Sequence, residues 1–170
     1  MRYLEFKNAT VIGAGIMGHG IAEVLALSGL NVIINDVSQD FLDRARQNVL
    51  TSLSRMKESG KLSESVMNET ISRISFTTEL RSAVSKADIV VEAVPEVLDI
   101  KKTVIKEVEL SCPPGAIIAS NTSNFRITEL QEGSSRPQKI VGMHFFNPPV
   151  VLKLVELCAA RRQMTRPSTL

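Results

Sequence analysis

Between Ala9 and Asp36 the chain reads ATVIGAGIMGHGIAEVLALSGLNVIIND, and no other stretch limits its possible folds so narrowly. The run Ala9-Thr10-Val11-Ile12 has the apolar, β-branched character of a buried parallel strand. It leads directly into glycines at Gly13, Gly15 and Gly18. This G-x-G-x-x-G spacing predicts a sharp turn at Gly13, a backbone open to a pyrophosphate at Gly15, and close helix–sheet packing at Gly18. The helix that follows would aim unpaired N–H groups and the positive end of its dipole at that anion. Ile16 and Met17, between the glycines, belong to the same cradle.

The flanking positions obey the same geometry. Ala22 keeps the helix thin, and Gly29 stands where a helix end favours a left-handed residue. Leu30 to Asn35 reads as a second strand ending at Asp36, 21 residues past Gly15, the place of the acid that takes the adenosine ribose hydroxyls. An acid there also repels a 2′-phosphate, so NAD is favoured over NADP, with Arg44 and Arg46 arguing the other way. The alternative is a strand, turn and helix whose glycines serve packing alone.

With 170 residues, 44% hydrophobic and 22% charged, the chain can build one good core but not two large domains. A net charge of +2 without a basic tract calls for neither nucleic acid nor an anionic membrane surface. No run approaches the roughly 18 apolar residues of a membrane span, and Met1 to Glu5 does not open like a secretory signal, so a cytoplasmic protein is expected. Cys112 and Cys158 lack metal-ligand spacing, and no metal site is expected; both read as reduced, ordinary residues.

Residues 38–74 interrupt the alternation of strands and helices. Ser38 reads as an N-cap, and Phe41, Leu42, Ala45, Val49, Leu50 and Leu53 recur at helical spacing. After a turn at 57–61, Ser63 can cap a second helix carrying Val66, Met67, Ile71 and Ile74. This helical excursion either covers the ligand site or shields the sheet edge. Beyond it come strands at 74–77 and 87–94, a helix over 97–110 with Lys101, Lys102 and Lys106 on a solvated face, strands at 116–119 and 139–143, and an extended run over 151–157. The pattern is a doubly wound α/β sheet. Ligands of such sheets lie beyond the carboxyl ends of the strands, where Gly13 to Gly18, Asp36, Glu92 to Glu96, Ser120 to Asn124 and His144 to Pro149 all fall.

The chain has two histidines. His19, in the first turn of the cradle helix, reads as a partly exposed surface residue. His144 ends a strand and is followed by two aromatics, an amide and two prolines, which suits a base held in place or a satisfied core histidine. If the runs on either side form a hairpin, Glu156 can bond one ring nitrogen, fix the tautomer and raise the basicity of the other.

The segments VIGAGIMGHGIA, IVVEAVPE, ASNTS, GMHFFNP and LVEL, in this order and spacing, resemble the NAD-binding domain of the 3-hydroxyacyl-CoA dehydrogenases, including the 3-hydroxybutyryl-CoA enzymes. The resemblance spans about residues 7–157. It implies a Rossmann-type, mostly parallel sheet with a helical hairpin inserted after the second strand, and NAD as cofactor. Carried over by position, it implies His144 as catalytic base with Glu156 as its carboxylate partner. Ser123 and Asn147 would bond the reacting oxygen and the nicotinamide side. Asp36, Glu96 and Lys101 match cofactor contacts, and Ser52 matches a contact to coenzyme A, which favours a ligand role for the hairpin. The implied reaction oxidises an L-3-hydroxyacyl-CoA to a 3-ketoacyl-CoA, or the reverse.

Members of that family continue into a helical domain that closes over the acyl chain and makes the dimer. Here CAARRQMTRPSTL follows Leu157 without an apolar period. The expected organisation is therefore an NAD-binding domain over 1–158, an atypical tail over 159–170 and no helical second domain. An apolar surface bared in this way predicts a homo-oligomer through a different interface. Two functions stay open: a dehydrogenase impaired by the missing domain, and a non-catalytic NAD-binding module.

Overall fold

A computed structural model gives the structure of residues 6–152 and 154–160. Among the described residues seven strands form one sheet in the order β3-β2-β1-β4-β5-β6-β7. Strand β1 (Asn8–Ile12) pairs in parallel with β2 (Asn31–Asn35) on one side and β4 (Ile89–Glu92) on the other. Strand β3 (Ile74–Thr77) continues the sheet beyond β2; β5 (Ile117–Ser120) and β6 (Ile140–Phe145) continue it beyond β4. Strand β7 (Val155–Cys158) runs antiparallel, as the edge partner of β6. Strand order reverses between β1 and β4, which opens a crevice at their carboxyl ends.

Both faces of the central strands are buried, as their unbroken apolar runs require. Val11, Ile34, Ile89 and Val91 pack with Ile21, Ala22 and Ala26 of α1 (Ile16–Leu27) and with Leu42 and Ala45 of α2 (Gln39–Glu58). On the other face Ile12, Val90 and Ile118 meet Val84 of α4 (Leu80–Val84), Ile105 and Val108 of α5 (Leu98–Ser111), and Leu130 of α6 (Ile127–Leu130). The residues predicted for an inserted hairpin form α2 and α3 (Glu64–Ser72). Gly60, at φ +72°, lies in the turn between them, and Ser63 Oγ accepts the Val66 N–H at the start of α3. Ala160, inside the tail predicted to begin at 159, is buried in the second core; the rest of that tail lies outside the described residues.

Local chemistry sets the cradle. Gly13 has φ +100°, and a Cβ there would meet the Ala93 carbonyl oxygen at 2.7 Å. A Cβ on Gly18 would overlap the Gly13 carbonyl oxygen, whereas one on Gly15 would meet nothing within 4 Å. Helix α1 ends at Gly29, φ +95°, whose N–H bonds the Ala26 carbonyl while the Leu30 N–H bonds that of Leu25. This is the paired-bond ending that a left-handed glycine permits.

Several expectations are corrected by packing. Phe41, Val66, Val97 and Ile100 follow the helical period yet are 48, 40, 48 and 43% exposed, because the buried stripes of their helices are narrower than the apolar ones. The strand expected over 151–157 is confined to Val155–Cys158, where β6 offers hydrogen-bond partners. Lys101 is not on a solvated face; it is 1% exposed.

Glu23, on α1, is fully buried. Its Oε1 accepts the Ser52 hydroxyl of α2 at 2.7 Å, and its Oε2 has no partner among the described residues. Burial raises its carboxyl to about 7, against the lowering effect of the Ser52 bond. A raised acid stabilises the fold below the ordinary value of 4.5, and that contribution is lost as pH rises through about 7. Urea unfolding should show wild-type stability declining across this window and Glu23→Gln declining less. Gly18→Ala should cost about 3 kcal/mol or more through backbone overlap, while Gly15→Ala should stay within about 1 kcal/mol of wild type in the same titrations.

Candidate active site

Three side chains converge beyond the carboxyl ends of β5 and β6. The β6–β7 hairpin places His144 opposite Glu156 in register, and Glu156 Oε2 lies 3.1 Å from His144 Nδ1. A carboxylate accepts only, so Nδ1 carries the proton and Nε2 keeps its lone pair in the neutral ring. Ser123 Oγ lies 3.1 Å from that Nε2. The Phe146 ring is tilted against the imidazole, with centroids 4.8 Å apart, and limits its rotation. The segment after His144 is anchored on the cradle helix, since Pro149 packs so close to Gly20 that a Cβ there would meet its ring at 3.1 Å. Asn147 is exposed and bonds none of the three among the described residues.

The serine loop is built from below by charge. Lys101 Nζ, on α5, lies 2.9 Å from Glu92 Oε1, 3.0 Å from Glu96 Oε2 and 3.2 Å from the Val94 carbonyl oxygen, so each of its three protons has an acceptor. Glu92 is itself fully buried, and its Oε2 accepts the Ser120 hydroxyl. Glu96 Oε1 accepts the Thr122 hydroxyl at 2.5 Å and the N–H groups of Ser123 and Asn124 at 3.0 and 3.1 Å. Asn121 Oδ1 accepts the Phe145 N–H at 2.8 Å and ties this loop to β6. Burial raises the Glu96 carboxyl, but the bonds from Thr122 and Lys101, the Lys101 charge and the Asn124 N–H outweigh it and hold the group below the ordinary carboxylate value.

At the other end of the crevice, Asp36 accepts the Ala14 N–H at 2.8 Å and the Ser38 N–H at 3.0 Å, which braces the glycine turn against the start of α2. The N-terminus of α1 has neither a side-chain cap nor an acidic residue in its first turn, and the Gly15 backbone faces open space. A pyrophosphate fits such a cradle. His19 bonds back to the Gly15 carbonyl oxygen through Nδ1, at 2.8 Å.

Two cavities adjoin the serine loop. One, of about 730 Å³, is lined by Ser123, Arg126, His144 and Glu156 together with Cys158 and Ala160. The other, of about 320 Å³, runs from Met17 in the cradle past Val94, Glu96 and Lys101 to Ser123. Ser123 lines both, so it stands at the boundary between the two cavities. Ser52 lines neither; its hydroxyl is given to Glu23.

Ser123, His144 and Glu156 have the order of an acyl-transfer triad, but the local donors argue against a nucleophilic serine. Such chemistry needs N–H groups free to hold an oxyanion beside the hydroxyl. Here those of Ser123 and Asn124 are committed to Glu96. The arrangement instead presents a basic ring nitrogen and a hydroxyl to an external oxygen. Sequence reasoning grouped Glu92 and Ser120 to Thr122 among the polar strand ends without giving them roles. A charged residue inside the apolar run IVVEAV was the available signal.

A family model described as 3-hydroxyacyl-CoA dehydrogenase, NAD binding domain, matches residues 8–170. A probable 3-hydroxybutyryl-CoA dehydrogenase of Bacillus subtilis is 41% identical over 154 residues, covering 91% of this chain and 53% of that protein. A similarly named protein of Deinococcus radiodurans is 44% identical over 147 residues, covering 86% and 52%. The crystal structure of 3-hydroxybutyryl-CoA dehydrogenase from Escherichia coli superposes with a TM-score of 0.88 at 35% identity, covering 94% of this chain and 34% of that one. The chain thus spans about half the length of these curated relatives.

The depressed Glu96 carboxyl stabilises the fold above the ordinary value of 4.5, and that contribution disappears as pH falls through its lower folded value. Glu96→Gln should therefore be less stable than wild type at neutral pH, with the gap closing as pH falls below the ordinary carboxylate value of 4.5 in urea titrations.

Proposed function

Because the chain belongs to the family of NAD-binding domains of the 3-hydroxyacyl-CoA dehydrogenases, we propose that it takes part in the oxidation of an L-3-hydroxyacyl-CoA to the 3-ketoacyl-CoA, or the reverse. The observation that carries this reading is the Glu156–His144–Ser123 chain at the junction of the two cavities. NAD, when bound, supplies the hydride acceptor. Gly13, Gly15, Ile16, Met17 and Gly18 would hold its pyrophosphate, and Asp36 its ribose. Glu96 and Lys101 line the cavity on the way to the nicotinamide end.

His144 Nε2 would take the proton of the substrate hydroxyl as hydride leaves C3, the carbon that bears this hydroxyl, so that the C3–O single bond becomes a carbonyl. Glu156 stabilises the imidazolium that forms, and Ser123 steers the oxygen towards Nε2. Run backwards, the imidazolium returns the proton. Asn147, exposed at the rim, is the residue of this set with least support from the geometry. Ser52 could meet coenzyme A only through the lone pairs its bond to Glu23 leaves free.

The second reading, a nucleotide-binding module without turnover, draws on the open glycine cradle at the uncapped N-terminus of α1. Among the described residues, Val151, Leu154 and Leu157 are 66, 57 and 71% exposed beside the hairpin, an apolar surface that supports a homo-oligomer. No helix of the described residues is long and apolar enough to cross a membrane; the cytoplasm is the proposed compartment.

An assay of NADH oxidation with acetoacetyl-CoA, run beside NAD titration, separates the readings: binding without turnover selects the module. In an active sample His144→Gln should lower kcat by about 10²–10⁴-fold with NAD affinity within about twofold of wild type. Sedimentation at micromolar concentration should show a dimer or larger species, and a monomer would refute the oligomer.

A further inference from the structure

The cavity between the cradle and Ser123 has an uneven charge. Met17, Ala93, Val94, Asn121, Ser123 and Asn124 line it without charge, and Glu96 and Lys101 are its charged walls. Behind them Glu92 is fully buried, 2.9 Å from the same ammonium. Two carboxylates around one ammonium leave one negative charge in excess, and the Glu96 bonds to Thr122, Ser123 and Asn124 fix where it lies. Lys101 and Glu92 are buried while the Glu96 side chain is 34% exposed, so water screens the inner pair little and the outer carboxylate in part.

We infer that the Glu92–Lys101–Glu96 cluster biases the dinucleotide site towards the oxidised cofactor. The inference rests on the NAD-dependent reading above and deepens it. A dinucleotide reaching from Gly15 to Ser123 must lay its nicotinamide end along this cavity. The oxidised and reduced forms differ only in that ring, which is a cation when oxidised and, with one hydride added at C4, neutral when reduced. Contacts to pyrophosphate, ribose and adenine therefore cancel in the ratio of the two dissociation constants, while an excess negative charge beside the ring does not. The same ratio sets the potential of the bound couple, so Glu96 is a residue that tunes the direction in which the site favours hydride transfer.

The test is the ratio of Kd for NAD+ to Kd for NADH, each measured by calorimetry on the full chain without substrate. Neutralising the excess charge in Glu96→Gln should raise this ratio roughly three- to tenfold, the Coulomb effect of one charge several Å away in a partly wet cavity. A tenfold change corresponds to about 30 mV for a two-electron couple. Glu96→Asp, which keeps the charge, should leave the ratio near wild type even if both affinities fall. Should Glu96→Gln not fold, Met17→Lys places a positive charge in the same cavity without taking a bond from the loop; its effect on the pyrophosphate is common to both nucleotides and cancels, so the ratio should rise in the same direction. An unchanged ratio in the charge-altering variant, or an equal shift in Glu96→Asp, overturns the inference while both nucleotides still bind. Failure of the wild type to bind either nucleotide overturns the NAD-dependent reading with it.

Discussion

One ammonium group, Lys101 Nζ, holds the chemical end of this molecule together. It is buried with Glu92 and bonded to Glu96, so it joins the loop after β4 to itself and, through the two carboxylates, to the loop after β5. Removing water from three charges is costly, and a buried pair is weak evidence of stability in itself. What the arrangement provides is position. Each carboxylate oxygen and each ammonium proton of the cluster has a partner in the protein, and its outermost acceptor, Glu96 Oε1, takes the backbone on which Ser123 rides. Replacing Lys101 alone would strand two carboxylates, a loss of about 3–5 kcal/mol where one partner of a buried pair is removed.

The glycine cradle depends on a different constraint, steric rather than ionic. The Gly13 carbonyl lies against Gly18, and the Gly13 α-carbon against Ala93 at the end of β4. Asp36 adds the third point by accepting the Ala14 N–H. These contacts connect β1, β2 and β4 at their carboxyl ends, so the cradle and the ion cluster share the short segment 92–96 as a common wall. A distortion at one end would therefore be felt at the other through a handful of bonds.

This division explains how much was legible in the residues alone. The cradle was read because its determinants are local: a strand, three glycines and an acid lie within one continuous stretch, and each has a steric reason to be there. The Glu156–His144 pair was read because a hairpin converts twelve positions of separation into a cross-strand contact, once β7 was supposed to turn back on β6. Lys101 was misplaced on a solvated face because Lys102, Lys106 and the nearby acids give α5 the look of a mixed charged surface. Whether one lysine of three points inward depends on Glu92, nine residues away in sequence and on another element. Glu23 escaped notice for the same reason, since its burial follows from how α1 and α2 pack and from a hydroxyl, Ser52, that comes from the second of these helices.

The position of Ser123 shows why these nonlocal contacts matter to the chemistry. A hydroxyl beside a histidine and a glutamate could serve nucleophilic acyl transfer or hydrogen-bond an external oxygen, and the three side chains alone do not choose. The choice is made by Glu96, which takes the N–H groups of Ser123 and Asn124 and so removes the donors an oxyanion beside Ser123 would need. The same carboxylate stands in the cavity that leads back to the glycine cradle. A single acid thus withholds the loop from one reaction and places its charge on the wall of the neighbouring cavity.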